Sequence, residues 1–371
     1  MSFIDKYLKY PTVIALLAII IGAVFVVFQN NPMMVIYLKF LLFPGLLFVL
    51  LGSLFYHWFD RKMFARMQNR VGPRFIQPVY DVLKLLAKED ITADGVDKPE
   101  FDMIPAIQLF LALLISFFIP IYATFGLISF EGDLVVIMFL LALIGGTIFL
   151  LGWATNNPLG LLGASRAAVS EFSFEIPLGL AFAGPAILAG SMQISKITDS
   201  KYNLINIPLG LISGDITGLE VLYIIPLLIL FFVSILAITA VLEKVPFDPA
   251  HAEVEIIGGW VVELTGKKLL FTRLANMVME LAIAGLVAAI FLGGPGEYTT
   301  GVLIGDWDVL GYLMSIIVFA IKTTFIVFLV TLMRTLHSRI RIDQLVDYFW
   351  KYYLPLALSG IFLIIIIRGV V

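Results

Sequence analysis

The chain has 371 residues, of which 61% are hydrophobic and only 14% charged, with a mean hydropathy of +1.03. That balance lies far outside a soluble globular domain, and the net charge of −3, with no basic tail, gives no argument for a nucleic-acid partner. Cysteine is absent and only His57, His251 and His337 are present, so disulfides, thiolate clusters and His-based metal or haem sites lack ligands, and the chain is expected to hold no metal or redox cofactor of its own.

Continuous apolar runs reach the roughly 20 residues that a helix rising about 1.5 Å per residue needs to cross a hydrocarbon core about 30 Å thick. They fall at 12–28, 37–58, 103–125, 134–152, 169–190, 221–242, 273–292, 309–333 and 352–370. The expected fold is therefore all-α, a polytopic transmembrane bundle of about nine spans, because short alternating segments that would suit a β-barrel are missing. The run at 12–28 lacks a small-residue cleavage site and reads as a retained helix, an extra N-terminal element over 1–36 preceding a main domain over 37–371.

Placing the N-terminus in the cytoplasm puts nineteen of the 24 Lys and Arg residues in the inner segments and only Lys39, Lys196, Lys201 and Arg368 in the outer ones, with Lys322 inside a span. Positive charge concentrates on the cytoplasmic side of short loops, so this orientation, with the C-terminus outside, is the expected one. Besides the N-terminal stretch with Lys6 and Lys9, the inner segments are then 60–100, 153–168, 243–272 with Arg273 at its edge, and 334–351. Within 60–100, Val79, Val82, Leu83 and Leu86 follow helical spacing while Asp81, Lys84 and Lys88 fall on other faces, a pattern that suits a helix lying in the membrane interface.

Charges appear where lipid should be. Glu171 and Glu175 stand one helical turn apart at the opening of the span 169–190, and two carboxylates at that spacing repel if both ionise, so the pair can hold and release a proton. The alternative is a hydrated Glu171 at headgroup level. Glu280 lies well inside 273–292 and Lys322 near the middle of 309–333. Each charge costs roughly 2.5–3.5 kcal/mol at a helix centre, so both should face protein or a wet cavity, as path residues or as a structural ion pair with one another. After 221–242, the acids Asp248, Glu253, Glu255 and Glu263 gather with His251 among Phe247, Val254, Ile256 and Trp260. If 249–257 is helical, Asp248 caps it and His251 and Glu255 share a face, as a proton relay would require.

Four stretches carry a family resemblance. They are Gln68 to Pro73 with Lys88-Glu89-Asp90; Gly152-Trp153, Asn156-Asn157 and Leu161 to Arg166, leading to Glu175; Pro246-Phe247-Asp248 with Glu253, Glu255 and Glu263; and Arg339 to Leu345 with Trp350-Lys351. In order and spacing the chain resembles the membrane-arm subunit of respiratory complex I, the NADH dehydrogenase subunit 1 family, and more closely the archaeal members in membrane-bound NiFe hydrogenases. The resemblance implies a non-redox membrane subunit in a prokaryotic plasma membrane. Such a subunit anchors a hydrophilic electron-transfer module and couples its chemistry to H⁺ or Na⁺ translocation.

Implied partners are hydrophilic NiFe-hydrogenase-like large and small subunits, which hold the iron–sulfur clusters and the nickel–iron centre, and antiporter-like membrane subunits. Glu171, Glu175, Asp248, His251, Glu253, Glu255, Glu263, Glu280 and Lys322 are the candidate ion path. Arg61, Arg66, Arg70, Arg74, Lys84, Lys88, Arg166, Arg339 and Arg341 are the candidate docking residues. The run Arg74-Phe75-Ile76-Gln77-Pro78 departs from the quinone-reducing members, His251 replaces a family Glu, and a later family Glu aligns with Asn276. These departures favour a hydrogenase-type or sulfur-reducing complex over a quinone-binding subunit. A stand-alone ion transporter, or an inert anchor, are the other readings.

Overall fold

A computed structural model describes residues 32–93, 95–214, 219–296, 303–304 and 307–370. The expected span at 12–28 and the side chain of Glu253 lie outside the described residues. Two units are distinct, Met1–Phe48 and Val49–Val371. The first contains helix α1 (Pro32–Leu41) and the start of α2 (Leu46–Met67); everything below concerns the second.

The chain continues through α3 (Gln77–Ala87), α4 (Lys98–Phe117), α5 (Asp133–Ala154), α6 (Pro158–Ala189) and α7 (Ile224–Val241) to a short α8 (Glu253–Ile256). It ends with α9 (Gly266–Leu292), α10 (Val309–Leu336), α11 (Ile342–Tyr348) and α12 (Leu354–Val370), a π-turn at Phe349–Tyr353 joining the last two. Two-residue strands pair Leu303 with Asp308 and Ile304 with Trp307 in a loop hairpin. Among the described residues eight helices are long and apolar enough to cross a membrane, and they match the eight runs expected from residue 37 onward.

The core is organised around α9, because 89% of its most apolar stretch is buried, against 17% to 56% for the other spans. Such a helix is apolar all round, as an enclosed element must be. Helix α6 is the main departure from expectation. The segment expected as loop 153–168 is largely helix, begun by Asn157, whose Oδ1 accepts from the Leu159 N–H at 3.0 Å, with Pro158 in the first turn. At 32 residues α6 is roughly 48 Å long, more than the hydrocarbon thickness, so Glu171 stands mid-helix and not at its mouth.

The segment after α7 is not one helix over 249–257. A 3₁₀ turn at Pro249–His251 and the short α8 are separated by extended Ala252 (ψ 94°), and Ile257 at φ 56° stops the second. Asp248 makes no side-chain cap. The segment folds down on α6 through two glycines, since a Cβ on Gly163 would lie 2.7 Å from the Gly259 Cα. That approach seats Trp260, fully buried, in a core with Phe101, Leu151, Ala164 and Leu264.

Candidate functional site

The segments 60–100, 153–168, 243–272 and 334–351 meet at one end of the bundle. Asp97 donates its N–H to the Ala154 carbonyl at 3.2 Å, Asn157 Nδ2 donates to Glu263 Oε1 at 2.8 Å, Thr265 Oγ1 to the Ile91 carbonyl at 2.8 Å, and Ile340 N–H to the Pro246 carbonyl at 3.3 Å. Contacts between segments so far apart in sequence turn four loops into one surface. On it Arg66, Arg70, Arg74, Lys84, Lys88, Arg339 and Arg341 are exposed, while Arg61 pairs with Asp81 at 2.8 Å and Arg166 with Glu255 at 2.5 Å. Arg339 grips Asp248 with both Nε (2.9 Å) and Nη2 (2.6 Å), the planar fork that guanidinium and carboxylate geometry favours. This explains why Asp248 caps no helix.

Behind that surface lies a cavity of about 720 Å³, walled by α2, α3, α9, α10 and the segment after α7. Helix α3 lends Asp81 and Lys84, and the Lys88 that follows it, to its wall and leaves Val79, Leu83 and Leu86 exposed. Burial would raise the Asp81 carboxyl, but hydrogen bonds from Arg61 and Gln77 outweigh it and hold the group below its ordinary value.

The inner end of the cavity is a buried charge cluster. Lys244 Nζ sits 2.7 Å from Glu280 Oε1 and 3.2 Å from Asp60 Oδ2. Asp60 also accepts from Thr331 Oγ1 (2.6 Å) and from Arg334 Nη1 (3.0 Å), and His57 Nδ1 lies 3.8 Å from Glu280 Oε2. Asp60 is 2% exposed and Glu280 3%, and donors surround each of these buried acids, as burial of a polar group requires. Burial by itself would lower the Lys244 pKa; the carboxylates of Asp60 and Glu280 more than reverse this and keep the ammonium charged.

A second, small cavity of about 30 Å³, room for one water, shares Leu242, Glu243 and Asn276 with the large one and has Glu171 on its opposite wall. Glu171 fits there because residue 145 is glycine: a Cβ at Gly145 would lie 2.5 Å from the Glu171 Cδ. Glu243 Oε2 is 2.7 Å from His251 Nε2, and the His251 ring packs on Trp260 with centroids 5.4 Å apart. Burial opposes protonation of His251, yet the Glu243 charge and hydrogen bond prevail and raise its pKa.

The sequence-derived candidates thus divide. Glu171 lines the small cavity and Glu280 and Asp248 the large one, with His251 held on Glu243, which both share; Glu255 and Glu263 bind Arg166 and Asn157. Glu175 is half-buried and is not part of the small cavity's wall. Lys322 does not meet Glu280. Its Nζ donates to the Leu292 and Gly294 carbonyls at 2.6 and 2.7 Å, closing the C-terminus of α9, where a cation satisfies otherwise free acceptors. Sequence reasoning missed Asp60, Glu243, Lys244 and Arg334 as site residues. Asp60 and Glu243 stand at the inner ends of apolar runs, a position that could have marked them.

Residues 38–365 match the family model described as NADH dehydrogenase. The chain belongs to the NADH dehydrogenase family. A subunit of NADH-quinone oxidoreductase from Bacillus thuringiensis (strain Al Hakam) and its counterpart from Bacillus anthracis (strain A0248) are each 34% identical to it, over 89% of this chain and 95% of theirs. A chain from the structure of the membrane-bound sulfane sulfur reductase, an archaeal respiratory membrane complex, superposes with a TM-score of 0.73 at 23% identity, covering 89% of this chain and 99% of that one. The family member described here is a membrane-embedded subunit of a complex I-type respiratory assembly. The charged cavity lies within the matched residues.

Proposed function

We propose that the chain is the non-redox membrane subunit of an ion-translocating oxidoreductase complex of the hydrogenase or sulfur-reducing type in a prokaryotic plasma membrane. The joined loop surface, studded with Arg66, Arg70, Arg74, Lys84, Lys88, Arg339 and Arg341, docks a soluble module of NiFe-hydrogenase-like large and small subunits. Redox centres reside in those partners, because a chain with no cysteine and three histidines supplies no iron–sulfur ligand set. Antiporter-like membrane subunits lie alongside.

The observation that carries this reading is the adjacency of two cavities lined by titratable groups, the open charged chamber and a one-water space, which share Glu243 and of which the smaller reaches Glu171 in mid-helix. A carboxylate there, with a water between it and the next, exchanges an ion without standing isolated in lipid. Rearrangement at the docking surface reaches the path through Arg339, Asp248 and the segment carrying Lys244 and Glu243. The test is Glu171→Gln in the reconstituted complex. Ion pumping into vesicles falls severalfold or more, while electron transfer with an uncoupler present falls less; wild-type pumping stoichiometry removes Glu171 from the path.

One observation favours a second reading. The two Bacillus relatives are subunits of NADH-quinone oxidoreductases, and a cavity of about 720 Å³ can take a quinone head group. The departure after Pro73 ranks this reading second.

A further inference from the structure

At the end of the bundle away from the joined loops, a groove of about 600 Å³ opens between α5, α6 and α12. Leu134, Met138, Gly179, Phe182, Ala186 and Met192 give it apolar walls, and Arg368 is the one charged residue among its lining groups. The position of α12 is fixed one turn earlier, where Ile364 and Leu230 close on Gly184: a Cβ there would lie 3.1 Å from Ile364 Cδ1 and closer still to Leu230 Cδ1. Arg368 Nη1 then donates to the Ile187 carbonyl at 3.0 Å. This contact holds the guanidinium level with the last turn of α6 and the first turn of α5, the plane at which spans give way to headgroups.

We propose that the groove is a phospholipid site, with the lipid phosphate on Arg368 and one hydrocarbon chain running along α6 between Phe182 and Met138. A guanidinium carries five N–H donors in a fixed fork, and the Ile187 carbonyl takes one of them, so the geometry for a bidentate phosphate contact remains open. Because the groove opens within the apolar part of the span, its walls match hydrocarbon and not water. A transmembrane helix of a neighbouring subunit is the competing occupant. It would have to bring its own acid to an exposed arginine at the groove's rim, whereas every phospholipid carries an anion at that depth. Flexible Met138 and Met192 suit a chain with no fixed shape.

The test uses the intact complex purified in mild detergent and equilibrated with a phosphatidylglycerol bearing a photoactivatable group on one chain. Peptides containing 134–138 and 179–192 are labelled in the wild type. Arg368→Gln lowers that labelling at least threefold relative to labelling elsewhere on the chain, and Arg368→Lys restores part of it. Gly179→Leu fills the groove and also lowers the labelling; Arg368→Gln, which leaves the walls alone, covers the case in which Gly179→Leu fails to assemble. Labelling unchanged in Arg368→Gln overturns the proposal. So does a photo-cross-linker at Ala183 that captures a partner subunit's helix instead of lipid.

Discussion

Lys244 and Glu280, 36 residues apart in sequence, are joined by a 2.7 Å hydrogen-bonded ion pair that also reaches Asp60 at 3.2 Å. Two nearly buried carboxylates thus share one ammonium, Asp60 having Arg334 as a second cation. Removing one partner of a buried pair leaves an uncompensated charge and typically costs about 3–5 kcal/mol. Lys244→Met therefore destabilises the complex by about that amount, read as loss of assembled complex at elevated temperature, while Glu280→Gln, which keeps the shape and removes the charge, costs less. Equal loss in both would mean that packing, not charge pairing, holds the cluster.

Gly145 determines where Glu171 can lie. Gly145→Ala pushes a methyl into the space of the Glu171 carboxyl, displaces it from the small cavity and impairs pumping. The second variant decides the cause. Adding Glu171→Ala to Gly145→Ala relieves the clash, so assembly returns to wild-type level although pumping does not. Assembly that stays poor in the double variant locates the damage elsewhere on α5.

The Arg339 fork on Asp248 links the docking surface to the cavity wall. Arg339→Lys keeps the charge and loses the bidentate geometry, so retention of the soluble module on affinity purification falls severalfold. Arg341 pairs with Asp343 in the open, both more than 60% exposed, and Arg341→Lys leaves retention within twofold.

His251 has a raised pKa in the folded protein, so the stability it contributes is fully present below its ordinary value of about 6.5 and is lost as pH rises through the folded value. Glu243→Gln removes the principal cause of the increase. The difference in thermal stability between wild type and Glu243→Gln is therefore largest in acid and shrinks as pH rises through the folded pKa. A difference that grows with pH instead would mean that His251 is neutral in the native complex.

Turnover of the complex needs no quinone. Complex stripped of quinone by detergent washing keeps its activity toward a soluble acceptor. Activity lost on stripping and restored by added quinone reverses the ranking.

Hydropathy and charge by themselves placed the eight spans between residues 37 and 370 and gathered the four charged segments at one end, and the motifs within those segments carried the family resemblance. They succeed because the bilayer is a one-dimensional constraint: an apolar run must be long enough, and Lys and Arg collect on one side. Glu171 and Glu280 were legible for the same reason, since a carboxylate within a span stands out against lipid.

What each buried charge meets was decided only in three dimensions. Asp60 finds Thr331 and Arg334 some 270 residues away, Glu243 and not Glu255 takes His251, and Lys322 turns to the end of α9 and not to Glu280. Those partners depend on how each helix is rotated and on where a glycine, as at Gly145 or Gly163, lets two backbones or a backbone and a carboxyl approach. A span's hydropathy is nearly unchanged by rotation about its own axis, so the apolar pattern that specifies the crossings carries no record of which side chains will face each other.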